Sequence, residues 1–423
     1  MVLNKFIKTQ SKLASFFIVL TVFFMPLSST ARSITMPIAA MLLLLNKANY
    51  AYLLAALRVN SVRMSLILFG LVTLGLFLGI ATWHEKLIVY EKYLKLLFFP
   101  VLLVGFRHAS TRRYAQYAFI AAMLITTVVM LFKATGLTHY GGIDPGRIFH
   151  NHILTGFMLD LAVFLSASLA MKGQGLKRMV FFALALLFSY TVIFVCTGRM
   201  AYIAYCIMMT VWFFQSFSMK KALICVVVFI SLFAFSYQYN TMMRFLVNQA
   251  FEDIQKYQHS DKNTSLGLRI QFHQYVRREL MKNKPILGHG TGGFSANFAK
   301  DEPVKGWAQK VIWEPHSQYW LIAAEYGFVG LALFVLFIVA LLRESILPDT
   351  NSGLAFAVIL SFAVGCFSDS LLLYSGTGYF FILFIAMSHA PRLKSSNSSY
   401  TQADAKGARL PLSLLAKASE TQT

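Results

Sequence analysis

Long apolar runs separated by short polar connections set the pattern of this 423-residue chain. They fall at residues 13–29, 33–45, 64–82, 87–106, 114–133, 153–171, 178–195, 200–217, 222–237, 328–342, 354–368 and 371–387. Runs of about 17 to 25 apolar residues predict helices that cross a bilayer, because a helix satisfies its own backbone polar groups where no water is present. One stretch, 238–327, is long and comparatively polar. Within it Met243, Leu246, Val247, Ala250, Phe251, Ile254 and Tyr257 recur at helical spacing. Leu268, Phe272, Tyr275, Val276 and Leu280 do the same and leave Arg269, His273 and Arg277 on a polar face. Both segments predict amphipathic helices lying along the membrane surface. Pro285 ends the second, and Gly288, Gly290, Gly292 and Gly293 predict a close turn; a phosphate-cradling loop is the alternative, although the Walker ending is missing.

The expected fold class is therefore an all-α polytopic membrane protein of about 12 transmembrane helices with a large loop containing amphipathic helices. A transmembrane barrel would alternate apolar and polar residues in segments of about ten, and no such alternation is present. Four divisions follow. Residues 1–237 hold nine spans, 238–327 form a cap, 328–390 hold three more spans, and the Ser-, Lys- and Ala-rich residues 391–423 read as a disordered tail. The N-terminus, with Lys5, Lys8 and Lys12 before an apolar run, imitates a secretory signal, but a second run follows at once and predicts an uncleaved first helix.

Charge orients the spans. One set of short connections holds Lys47, Arg58 and Arg63, then Arg107, Arg112 and Arg113, then Lys172, Lys177 and Arg178, then Lys220 and Lys221. The alternate connections hold Arg32, Lys86, Arg147 and Arg199, one each. Positive residues are retained in the cytoplasm, which predicts cytoplasmic termini and an outward-facing 238–327 segment. The formal charge of +21 is spread between apolar runs and does not mark a nucleic-acid partner. Cys196, Cys206, Cys225 and Cys366 lie in or beside apolar runs without metal-binding spacing and read as core thiols. No repeat of 20 to 50 residues and no inverted repeat is apparent, which weighs against a transporter.

Polar residues gather at four places on the predicted outer face. Arg147, His150 and His152 stand where the sixth run begins; the two histidines could ligate a metal, but helix-end capping is the simpler reading. Cys196-Thr-Gly-Arg199 is a tight turn that places an arginine at a helix N-terminus, suited to a diphosphate, although an arginine there also snorkels to lipid phosphates. In the long segment Arg269 is held near the bilayer edge, and His316 precedes Gln318-Tyr319-Trp320. Glu91 and Lys95, four apart, can pair on one face, Lys92 and Lys95 either add positive field or anchor to lipid headgroups, and Asp369 lies near the same face, where it could orient a basic residue, contact a sugar or pair structurally. No DxD-like carboxylate pair stands on the outer side, so no metal and no cofactor are expected.

At Arg147, Arg199, Ser265-Leu-Gly-Leu-Arg269, Pro285-Ile-Leu-Gly-His-Gly290 and Glu314-Pro-His-Ser-Gln-Tyr319 followed by Gly327, the sequence resembles the O-antigen ligase family. The resemblance implies a GT-C-like glycosyltransferase of the Gram-negative inner membrane, with its active site facing the periplasm. Its partners would be an undecaprenyl diphosphate-linked glycan donor, a lipid A-core acceptor and the membrane lipids. It implies diphosphate-binding roles for Arg199 and Arg269, a further basic position at Arg147, and a catalytic His316. Lys95, His150, His152 and Asp369 are possible supporting residues. Ser317 stands where the family often has Asn, which bears on acceptor orientation. Arginine forks match phosphate oxygens bidentately, and a histidine can take the acceptor hydroxyl's proton, so the expected transfer is metal-independent and inverting. An O-antigen polymerase, a protein O-oligosaccharyltransferase and, from another class, a polytopic lipid or solute transporter are the competing readings.

Overall fold

A computed structural model describes residues 2–138, 144–259, 262–304, 312–347 and 352–392. The tail from 393 onward and the His139–Ile143 part of the glycine-rich loop lie outside the described residues. Every regular element among them is helical: α1 Val2–Phe24, α2 Ser29–Leu45, α3 Tyr50–Leu57, α4 Asn60–Gly75, α5 Trp83–Tyr93, α6 Lys95–Gly105, α7 Ala109–Ala134, α8 His152–Lys172, α9 Gly175–Phe194, α10 Arg199–Ser216 and α11 Met219–Tyr239. There follow α12 Thr241–Gln258, α13 Ser265–Tyr275, a π turn at Val276–Leu280, α14 Met281–Asn283, α15 Gly293–Asp301, α16 Gln318–Ser345, α17 Ser352–Gly365 and α18 Ser375–His389.

The chain is an all-α polytopic membrane protein. Helix α8 is packed on all sides, buried without a break from Leu154 to Ala167, and neighbours α9 and α10. By contrast α11, equally apolar, buries only Ala222 and exposes Leu223, Ile224, Val227, Val228, Leu232 and Phe235. Water would not tolerate that face, whereas lipid does.

Among the described residues, five helices are long and apolar enough to span a bilayer unaided: α7, α8, α9, α11 and α16. Helix α2 and the segment Lys47–Leu57 make a sixth if counted together, but they bend by 86°. The expected count of twelve therefore exceeds what length and apolarity carry. Run 87–106 is two helices, α5 and α6, broken at Leu94, and run 64–82 leaves the helix after Gly75.

The polar segment folds largely as its periodicity predicts. Thr264 caps α13 by accepting from Gly267 N (3.1 Å), and Phe272, Tyr275, Val276 and Leu280 turn inward. In α12 the match is partial: Met243 and Leu246 pack inward, but Phe251 and Ile254 stay exposed and Asp253 is buried instead.

Candidate active site

The glycine turn after Pro285 is a clasp between α4 and α16. His289 N donates to Ala324 O (3.0 Å), Gly290 N to Glu325 O (2.7 Å), Thr291 N to Gly75 O (3.0 Å) and Gly292 N to the Glu325 carboxylate (2.9 Å). Its amides are thus spent on the protein, which removes the phosphate-cradle alternative. On the other side Gly327 has φ 61 and interrupts α16; a Cβ there would lie 2.3 Å from Ile286 O. Gly288, at φ 67, meets the Glu325 carbonyl just as closely. Only glycine allows two backbones to interlock in this way.

The clasp fixes the first turns of α16, and these fix the loop before it. Gln318 N donates to Cys366 O (2.9 Å), its Oε1 accepts from Leu372 N (2.8 Å) and Leu373 N (3.0 Å), and Ser317 Oγ donates to Cys366 O (3.2 Å). Ser317 is 1% exposed, so it joins two loops and does not face a ligand. Lys95 holds the second loop from beneath. It is completely buried, and Nζ donates to the carbonyls of Leu372 (2.7 Å), Leu373 (3.2 Å) and Tyr374 (2.9 Å). The possible Glu91–Lys95 pair is not formed, because Lys95 is buried and its Nζ is taken by the 372–374 carbonyls.

These loops bring Glu314, His316 and Asp369 together. His316 Nδ1 lies 2.8 Å from Glu314 Oε1 and 3.6 Å from Asp369 Oδ1. The other Glu314 oxygen accepts from the His316 backbone N (2.6 Å) and from Ser370 Oγ (2.7 Å), while Tyr374 OH donates to Oε1 (2.8 Å). That grip holds His316 at φ 56, a left-handed conformation uncommon for a residue with a Cβ. Phe272 stacks on the imidazole at 6.1 Å. Burial works against an imidazolium here, but Asp369 and Glu314 outweigh it and raise the His316 pKa to about 9. Burial likewise opposes the Glu314 carboxylate, yet His316, Ser370 and Tyr374 hold its pKa below the usual value.

A cavity of about 410 Å³ opens over this cluster, lined by Lys92, Arg269, Phe272, Glu314, His316 and Tyr374 among others. Arg269 spends one nitrogen on Ser265 Oγ (3.0 Å) and otherwise faces the cavity. Two expected residues therefore share a cavity, and Asp369 supports one of them.

The other arginines are placed by a second junction. Asp144 Oδ1 accepts from Thr197 Oγ (2.7 Å) and Gly146 N (2.8 Å), joining the turn of Arg147 to that of Arg199. Arg147 is exposed, and its carbonyl accepts from Lys133 Nζ (2.7 Å). Arg199 Nη2 donates to Gln249 (2.7 Å) and lies 3.9 Å from Asp253, so it meets α12 and does not line the cavity. His152 sits between the groups, 3.8 Å from Asp144 and within electrostatic range of Arg147, Asp369 and Arg269. His150 turns away. Its Nε2 contacts Met25 O (3.0 Å), and burial with the nearby Arg32 lowers its pKa to about 4. The two histidines have different partners, which argues against a metal held between them.

Sequence reasoning gave no role to Glu314, Ser370, Tyr374 or Asp144. It also found no carboxylate pair, whereas the fold places ligand atoms of Glu314, His316 and Asp369 within 4.8 Å of one another, a set that could hold a cation. The available signal was the acid two residues before His316.

Residues 181–335 match the family model described as O-antigen ligase, a stretch that contains Arg199, Arg269, the glycine clasp and His316 but neither Arg147 nor Asp369. No curated protein matches the chain.

Proposed function

We propose that this chain, whose residues 181–335 match the O-antigen ligase family model, is a membrane glycosyltransferase of the ligase/polymerase type that transfers an O-polysaccharide from undecaprenyl diphosphate to the outer-core sugar of lipid A-core. The observation that supports this most is the cavity that pairs a carboxylate-gripped His316 with Arg269. Glu314 engages Nδ1, which leaves Nε2 as the nitrogen for substrate.

In this reading the acceptor hydroxyl loses its proton to His316 Nε2 as its oxygen attacks the anomeric carbon. The bond from that carbon to the diphosphate oxygen breaks, the configuration inverts, and undecaprenyl diphosphate leaves. Arg269 and Lys92 offer positive charge at the cavity wall where negative charge grows. Arg199 and Arg147, on turns that Asp144 ties together through Thr197 and Gly146, would meet the diphosphate from the opposite segment. The exposed apolar faces of the bundle suit the isoprenoid tail. The active site would face the periplasm from the inner membrane, with 238–327 as its cap.

Deletion of the gene tests the acceptor. A ligase deletion accumulates long polymer on undecaprenyl diphosphate and leaves bare core. Core bearing a single repeat would identify a polymerase instead, and intact lipopolysaccharide with an unglycosylated secreted protein would identify a protein transferase.

A further inference from the structure

Helices α1 and α7 leave a groove of about 650 Å³ lined by Ser11, Lys12, Phe16, His108, Ser110 and Tyr114 among others. Its depth in the molecule is fixed by contacts at the far ends of the same helices. Met25, just past α1, meets His150, and Lys133 in the last turn of α7 donates to the Arg147 carbonyl. Both helices therefore run from the groove to the active-site end. The 26 residues of α7 cover about 39 Å at 1.5 Å each, so the groove lies at the opposite membrane face.

The groove is built and polarised. Thr111 Oγ donates to Ser15 Oγ (3.1 Å) and ties its two walls together. Phe16 and Tyr114 are 58% and 54% exposed and give it an apolar side. At the polar end His108 precedes α7 without a side-chain cap, which leaves the first amides of that helix open. Residues 1–84 and 92–143 contain no Asp or Glu, so neither wall carries an acid. Of the nearby arginines, Arg112 donates to the Phe106 (2.7 Å) and Arg107 (2.8 Å) carbonyls and Arg107 bonds Asn49, all neutral partners. Among the described residues, these arginines and Lys12 have no acidic partner.

We propose that the groove is a binding site for an anionic phospholipid, with its phosphate among Lys12, Ser110 and the first amides of α7 and an acyl chain along Phe16 and Tyr114. A zwitterionic headgroup would bring an ammonium to an acid-free rim, and free phosphate would leave the apolar side unfilled. The site is separate from the active site and does not depend on the transferase reading.

The test uses full-length protein purified in detergent and titrated with phosphatidylglycerol, phosphatidylcholine or inorganic phosphate, read by native mass spectrometry and by Tm. Phosphatidylglycerol is expected to stay bound and raise Tm, while the other two do neither. Lys12→Ala should weaken its retention by about fivefold, the effect of one cation near an anionic headgroup. Ser110→Glu should do so more strongly, and Lys220→Ala, at the same face on α11, should change nothing. Equal binding of phosphatidylcholine, a Tm rise with phosphate alone, or an equal loss in Lys220→Ala would overturn the proposal.

Discussion

Substituting Glu314 by Gln should move the pH dependence of transfer. In the wild type His316 has a pKa of about 9, so its neutral form is about one part in a hundred at pH 7, grows about tenfold by pH 8 and reaches about half at pH 9. If Nε2 is the base, kcat must rise with near-unit slope up to about pH 8 and level off above 9. Glu314→Gln removes one of the two carboxylates facing Nδ1 and leaves Asp369 at 3.6 Å. The pKa then falls back toward the ordinary value of about 6.5, and the rising limb shifts to lower pH by about one unit or more. Stability supplies an independent readout. A histidine whose folded pKa is raised stabilises the fold fully below about 6.5 and loses that contribution as pH rises through about 9. Wild-type Tm should therefore decline across this window, and the decline should be smaller in the variant. The assay is transfer of purified lipid-linked glycan to lipid A-core in detergent, with Tm measured in the same buffers. A limb that does not move in Glu314→Gln, or a rate that falls with pH through 9, would refute Nε2 as the base and leave His316 as a fixed positive charge.

Arg269→Ala should lower kcat/KM by about 2–3 kcal/mol of transition-state stabilisation, roughly 30- to 150-fold, as for other lost donors to a developing anion; a loss of tenfold or less in the same transfer assay would mean that Arg269 serves only the bilayer edge. Arg199→Ala is expected to fall in the same range while also loosening α12, seen as faster proteolysis near Asp253, since Gln249 and Asp253 lose their partner. Treatment with a chelator should leave activity intact; loss that magnesium restores would mean that Glu314, His316 and Asp369 hold a cation and that His316 is a ligand rather than the base. Gly327→Ala forces a Cβ to within 2.3 Å of Ile286 O at φ 61, and should destabilise the protein by about 3 kcal/mol or more, read as lost expression or a lowered Tm.

What the chain discloses about itself divides along a physical line. Apolar length is local, so α7, α8, α9 and α11 stand almost where their runs do, and the inward residues of α13 follow from spacing alone. Residue type is also local, which is why Arg269 and His316 could be singled out. Pairing is not. Lys95 is bonded to carbonyls 277 to 279 residues away, Thr291 to Val72 across 219, and Thr197 to Asp144 across 53. No periodicity encodes such contacts, and the division of run 87–106 at Leu94, just before Lys95, is not legible either. Glu314 is the instructive miss. In a chain with 38 Lys and Arg against 17 Asp and Glu, acids are scarce, and one placed beside the proposed diphosphate site would repel that substrate unless neutralised. Both Glu314 and Asp369 are spent on His316, whose protonated ring cancels part of their charge. Under the proposed transfer the price of that arrangement would be a base mostly protonated at neutral pH, so donor binding and proton removal would pull His316 in opposite directions. In that proposal, binding of the diphosphate would favour the imidazolium and attack by the acceptor would require the neutral ring, which would make the approach of the acceptor hydroxyl the step at which the proton on Nε2 has to be gone.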